Sequence, residues 1–273
     1  MTTPEFSDDD DLAVDRWSSR LASLGHIYRY RSLSDFNRFE ELVLGGRFYF
    51  PAFKTLNDPF DGKVRVDFDG SVEVRRAYWE AHCNETGQEI DSPTRAKIEG
   101  FVAKHDDPAF TEVLLQTYLS SVSEFGVACF SETPDDIPMW AYYGDSQRGV
   151  CLRFLARRLL GWDGCFPPMP VDYLAEYPQV GFYRHTKFER NRLTVAAKAD
   201  AWRHEREWRM IRHRGAGHIA FPRDALEGII MGCSISADDE ARVRGVVAGR
   251  SPHIQLLKAS PVESRFALQV VDA

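Results

Sequence analysis

The chain has 273 residues, 44% of them hydrophobic and 12% aromatic, with a formal net charge of −7 at pH 7. That length and apolar content suffice for one large core. No apolar run reaches the roughly 18 residues a membrane span needs, and the acidic balance argues against sequence-independent binding to nucleic-acid phosphates. Residues Met1 to Asp11 are acidic and lack the basic-then-apolar order of a signal peptide, so a cytoplasmic location is expected. Cys83, Cys129, Cys151, Cys165 and Cys233 are scattered without C-x-x-C spacing, which fits reduced thiols better than a disulfide framework or a zinc site.

Residues 1–11 are expected to form a flexible acidic arm, and residues 12–273 a single domain. The chain then predicts a helix over Leu12–Leu24, with Gly25 just past its end. His26–Arg31 is short, aromatic and alternating, and reads as a strand. Ser34 can cap a helix that carries Phe36, Phe39, Leu42 and Val43 on one face, closed by Gly45-Gly46. Arg47–Phe50 reads as a second strand, and Pro51–Gly62 as a loop.

A helical insertion is expected over residues 71–121, broken near Gly87 and at Asp106-Asp107-Pro108. Strands follow at Phe125–Phe130 and Gly149–Phe154, separated by a short helix at Ile137–Tyr143. Val171–Tyr173 reads as a strand and Lys187–Arg203 as one long helix running into a strand at Glu207–His213. Arg214–Gly217 should turn the chain into a further strand at His218–Phe221. The end reads as a strand at Gly228–Met231, a helix at Ala237–Val247, and strands at Ile254–Lys258 and Phe266–Val271. Helices and strands mix without a steady βαβ rhythm, so the fold class is α+β with a mixed, mostly antiparallel sheet.

Several segments carry chemistry. Gly215-Ala-Gly217-His-Ile-Ala220 has the loose spacing of a dinucleotide-binding loop. Such a loop must open a helix, whereas the residues here continue as a strand, so a hairpin turn is expected. Tyr28-Arg29-Tyr30-Arg31 places two guanidinium groups on one strand face and two rings on the other. The arginines are either paired with acids such as Asp58 or poised to grip a phosphate or carboxylate. Asn57-Asp58-Pro59-Phe60 can close an Asx turn, with Asp58 the more promising functional group. Ser131 ends a buried strand. Trp140 and Tyr143 sit on a short helix, where they either pack in the core or stack on a planar ring.

Lys198, Trp202 and Glu205 share one face of the expected helix, and Glu205 and Glu207 share a face if the strand begins by Glu205. Two carboxylates so placed can divide roles, one handling a proton and one stabilising cationic charge. The structural alternative is an ion-paired ladder with the nearby arginines.

The ordered set Tyr28-Arg-Tyr-Arg-Ser32, Asn57-Asp-Pro-Phe60, Cys129-Phe-Ser-Glu132, Met139-Trp-Ala-Tyr-Tyr143 and Glu205-Arg-Glu-Trp-Arg209 resembles the bacterial family known as domain of unknown function 2971. That resemblance runs from Ile27 onward and carries no activity; Tyr142 stands where the family more often has histidine. The order of a Tyr-Arg strand, a strand ending in serine and a late Glu-x-Glu is also similar to the arginine-serine-glutamate class of ADP-ribosyltransferase domains. This second resemblance implies NAD as substrate. It places Arg29 or Arg31 on the dinucleotide, Ser131 near the nicotinamide ribose, and Glu205 and Glu207 as catalytic carboxylates. Ser131-Glu-Thr133 departs from the Ser-x-Ser pattern of that class.

The resulting expectation is an enzyme that cleaves NAD or transfers its ADP-ribose, in bacterial stress or phage defence. Catalytic residues would be Glu207, Glu205 and Ser131. Arg29, Arg31, Asn57, Asp58, Trp140 and Tyr143 would hold a small-molecule nucleotide; the sequence leaves the acceptor open. Two alternatives come from other classes: a non-catalytic ligand-binding or interaction module, and a Mg²⁺-dependent nuclease using Asp58, Glu132 and Glu205.

Overall fold

Asp10 is buried and accepts a 3.1 Å hydrogen bond from the Thr186 hydroxyl, which ties down the start of the first helix. In this computed structural model, which describes residues 8–162 and 164–273, helix α1 accordingly runs from Asp8 to Ser23. Residues 8–11 therefore belong to α1 rather than to an acidic arm, and residues 1–7 lie outside the described residues.

Strand β1 (His26–Arg31), helix α2 (Phe36–Gly45) and strand β2 (Arg47–Phe50) follow. The cap of α2 is the side chain of Asp35, which accepts from Arg38 N–H, and not the expected Ser34; Gly46 ends the helix with φ 63. After β3 (Arg65–Asp67) comes the helical insertion, α3 (Val72–Glu85), α4 (Ser92–Ala103) and α5 (Pro108–Ser123). Ser71, Asp91 and Asp107 cap these three helices, which explains the breaks seen in the sequence. Strand β4 (Gly126–Ser131), helix α6 (Ile137–Tyr142) and strand β5 (Val150–Leu155) come next. Four short elements follow: β6 (Met169–Pro170), β7 (Asp172–Leu174), β8 (Gln179–Gly181) and α7 (Lys187–Val195). The chain ends with β9 (Ala197–Ala199), β10 (Glu207–Arg212), β11 (Gly217–Ala220), β12 (Leu226–Met231), α8 (Ala237–Ala248), β13 (Gln255–Pro261) and β14 (Leu268–Asp272).

The central sheet has the order β14-β13-β12-β5-β1-β4-β10-β6. Its pairs are antiparallel except β12 with β13, where α8 supplies the crossover that a parallel pair needs. The α+β fold class expected from the sequence is therefore found. One face of the sheet is closed by an aromatic cluster in which Phe48 lies 5.7 Å from Phe130 and 6.1 Å from Phe154. Pairs of this kind contribute about 0.5–1.5 kcal/mol beyond their burial.

Two expectations are corrected. The helix expected over Lys187–Arg203 stops at Val195: Ala197–Ala199 pairs in parallel with β7, and a 3-10 turn occupies Asp200–Glu205. Pairing with a distant strand overrides helix propensity there. The strand after Gly215–Gly217 does not form a hairpin with β10; β11 pairs with β2 instead.

The sheet also splits. Strand β1 pairs with β5 along its whole length but with β4 only at Tyr28↔Ser131. Elsewhere the edge of β4 is taken by residues 51–53, through Val127 N–H to Pro51 O at 2.9 Å and Phe53 N–H to Phe125 O at 2.7 Å. A wedge opens between β1 and β4, and the candidate site lies in it.

Candidate functional site

The register across three strands builds the site. Tyr28 of β1 faces Ser131 of β4, and Ser131 faces Glu207 of β10. Beside this row lies a cleft of about 170 Å³ lined by Asn57, Asp61, Tyr143, Lys198, Glu205 and Glu207, among others.

Glu205 ends the 3-10 turn, Arg206 adopts a left-handed conformation (φ 44), and Glu207 opens β10. The two glutamates thus do not share a strand, yet both carboxylates converge on Lys198. The Lys198 ammonium bonds Glu205 directly and lies 3.1 Å from Glu207 Oε2. Arg209 grips Glu207 with Nε at 2.7 Å and Nη2 at 3.1 Å, and Nη2 also reaches Asp61 Oδ1 at 2.8 Å. Tyr143 donates its hydroxyl to Glu205 Oε1 at 2.8 Å and accepts from Asn57 Nδ2 at 3.1 Å. The result is a buried alternation, Asp61–Arg209–Glu207–Lys198–Glu205, of three carboxylates against two cations, leaving one negative charge in excess. Charges this deep persist only when paired and hydrogen-bonded.

The same surroundings push the two glutamates apart. Burial works against the Glu207 charge, but Arg209 and Lys198 outweigh it and hold its pKa at about 2. Burial raises Glu205, assisted by the Glu207 charge and only partly opposed by Lys198. Burial likewise works against the Lys198 charge, but Glu207 and Glu205 hold it above the ordinary lysine range. Burial and the Glu205 charge raise the Tyr143 phenol. One carboxylate is thereby a fixed anion and its neighbour a group that can exchange a proton.

The side chains of β1 alternate as expected. Tyr30 packs edge-on against Trp140 at 5.1 Å, while Arg29 turns to the other face, 4.8 Å over the Phe48 ring, and donates to Cys129 O at 2.9 Å. Arg29 lies in the wedge and lines both the carboxylate cleft and a second concavity of about 120 Å³. Arg31 lines only the second, together with Arg38, Arg47 and His218. There Arg38 pairs with Asp35 at 3.1 Å and Arg47 with Glu41 at 3.2 Å. The buried Nε of Arg31 has no partner among the described residues, and burial with repulsion from Arg29 and Arg38 brings its pKa down to about 10.

Other expected site residues take structural positions. Trp140 is fully buried, its Nε1 donating to Pro134 O at 2.8 Å, so it packs in the core and forms no stacking wall. Asp58 accepts from Phe60 N–H at 2.9 Å and closes the expected Asx turn; it does not line the cleft, whereas Asn57 and Tyr143 do. Ser131 is buried and donates to Glu205 O at 2.7 Å, so its hydroxyl positions the 205–207 segment. Glu132 pairs with Arg20 at 2.5 Å and accepts from Trp208 Nε1 at 2.8 Å. Asp58 bonds Phe60 N–H through Oδ1, Glu132 bonds Arg20 and Trp208, and Glu205 bonds Lys198 and Tyr143. Among the described residues no group of three or more His, Cys, Asp or Glu is placed to hold a metal ion.

Sequence reasoning missed Asp61, Arg209, Tyr173 and the role of Lys198. Tyr173 accepts the Glu207 N–H at 2.7 Å. Two signals were present: strand alternation puts Arg209 on the face of Glu207, and Asp61 lies in the same loop as Asp58. Compared with known proteins, the chain matches no family model, no curated protein and no solved structure.

Proposed function

We propose that the chain is an ADP-ribosyltransferase-like enzyme that cleaves NAD or transfers its ADP-ribose. The observation that carries this reading is Arg29 as a wall shared by two unlike concavities, one built around the carboxylate pair and one around arginines. A dinucleotide has matching halves: a nicotinamide ribose that becomes cationic during cleavage, and an anionic pyrophosphate. The cleft of about 170 Å³ suits only one ring and its sugar, so the remainder of the molecule would extend past Arg29 towards Arg31 and Arg38.

In the reaction, the bond from ribose C1′ to the nicotinamide nitrogen breaks with its electron pair, and nicotinamide leaves neutral. The fixed negative charge of Glu207 stabilises the oxocarbenium-like state, an effect worth about 3–4 kcal/mol for one well-placed electrostatic contact. Water or an acceptor forms the new bond at C1′ and passes its proton to Glu205, whose raised pKa suits a general base. Ser131 acts through its bond to the Glu205 carbonyl.

The test is incubation of the protein with NAD, following nicotinamide release. Wild type should release it, and Glu207→Gln should lose at least about a hundredfold in rate while circular dichroism stays native. Absence of release by wild type, or full activity in a folded Glu207→Gln, rejects the reading. The internal pairing of Glu207 favours a second reading, a binding module without turnover, which expects a thermal shift with NAD and no nicotinamide.

A further inference from the structure

A third concavity, of about 300 Å³, opens on the far side of Lys198, between the 60–65 segment, the loop after β7, and β9. Three of its wall residues are large hydrophobic side chains left in solvent: Phe60 is 58% exposed, Tyr177 43% and Leu174 37%. Exposed rings gathered at a concave site are a mark of ligand binding, since scattered ones need no explanation. Two cations join them. Arg65 pairs with Glu176 at 3.2 Å, whereas among the described residues no carboxylate pairs with Lys63. The groove is thus aromatic with one uncompensated positive charge. One wall is β9, whose Lys198 lines both the groove and the carboxylate cleft and bonds Glu205 in the latter.

We infer that this groove binds a mononucleotide, its base against Phe60 and Tyr177 and its phosphate at Lys63. A planar heteroaromatic ring satisfies the exposed faces, and the phosphate answers the unpaired ammonium. The volume, at the lower end of small-molecule sites, accommodates one nucleotide and no longer strand. Resting on the reading given above, the groove is where an acceptor nucleotide waits beside the catalytic carboxylates; binding itself does not depend on that reading.

Calorimetric titration of the full chain with AMP, adenosine and inorganic phosphate tests it. AMP should bind more tightly than either fragment, and Phe60→Ala and Lys63→Ala should each weaken it by about tenfold. Both residues are exposed, so the variants should melt like wild type. Arg244→Ala, on the exposed face of α8 and outside all three concavities, should leave AMP affinity unchanged. No AMP binding, binding insensitive to Phe60→Ala or to Lys63→Ala, or affinity lost in Arg244→Ala overturns the assignment. Nicotinamide release from NAD is scored separately: its absence with AMP binding intact removes the enzyme reading and leaves the groove, and the reverse outcome removes the groove alone.

Discussion

The Lys198 ammonium lies 3.1 Å from Glu207 and also bonds Glu205, so one cation holds two carboxylates that flank a left-handed residue. All three side chains are almost completely buried, yet each lines the cleft.

Lys198→Met leaves the two carboxylates facing each other with only Arg209 to compensate. Losing one partner of a buried ion pair costs about 3–5 kcal/mol, and that loss is expected in urea unfolding at pH 7. Adding Glu205→Gln should recover part of it, because the second change removes the unpaired charge. A strictly additive double mutant would show that the lysine and the glutamate are not coupled.

Glu207 gives the protein acid sensitivity. Its folded pKa of about 2 lies below the ordinary glutamate value of 4.5, so its stabilisation is present above pH 4.5 and disappears as pH falls towards 2. The amount is about 3 kcal/mol. Glu205, raised in the fold, acts with the opposite sign at higher pH. Urea midpoints measured from pH 5 to pH 2 should fall less steeply in Glu207→Gln than in wild type, and parallel curves would refute this.

Tyr143→Phe removes the hydroxyl that donates to Glu205 and accepts from Asn57. That bond favours the ionised carboxylate, so its loss should move the Glu205 titration upward in pH, read by carbon NMR of the labelled carboxyl. Stability should drop by about 1.5 kcal/mol, as for a hydrogen bond to a charged group. A shift to lower pH would contradict the assigned donor direction.

Arg31→Ala removes a cation that makes no ion pair among the described residues and is crowded by Arg29 and Arg38, which outweigh Asp35. Stability should change by no more than about 0.5 kcal/mol, while the thermal stabilisation expected from added pyrophosphate should vanish. A large loss of stability would mean that Arg31 is structurally paired and does not await an anion.

Local chemistry made much of this legible in advance. Gly46, Ser71 and Asp107 act within a few positions of themselves, so the helix ends near them could be read from the sequence, whereas α2 is capped by Asp35 and not by the neighbouring Ser34. The alternation of Tyr28-Arg29-Tyr30-Arg31 sorted rings from guanidinium groups because strand geometry leaves no other choice. Asn57, Tyr143, Glu205 and Glu207 stood out as polar groups in unusual company, and the structure brings them to one cleft.

What the sequence by itself determined, then, is the α+β class, the helical insertion, most strand positions and the polar residues worth watching, since these follow from periodicity and short-range hydrogen bonding. Only the tertiary structure decided that Lys198 leaves its helix to pair in β9, that Trp140 is core and that Asp61 and Arg209 complete the charge network. It also decided that the sheet splits between β1 and β4. The reason is distance: Asp61 meets Arg209 across 148 positions, and whether a charge lies exposed or locked in a buried network depends on strand pairings made by segments that far apart.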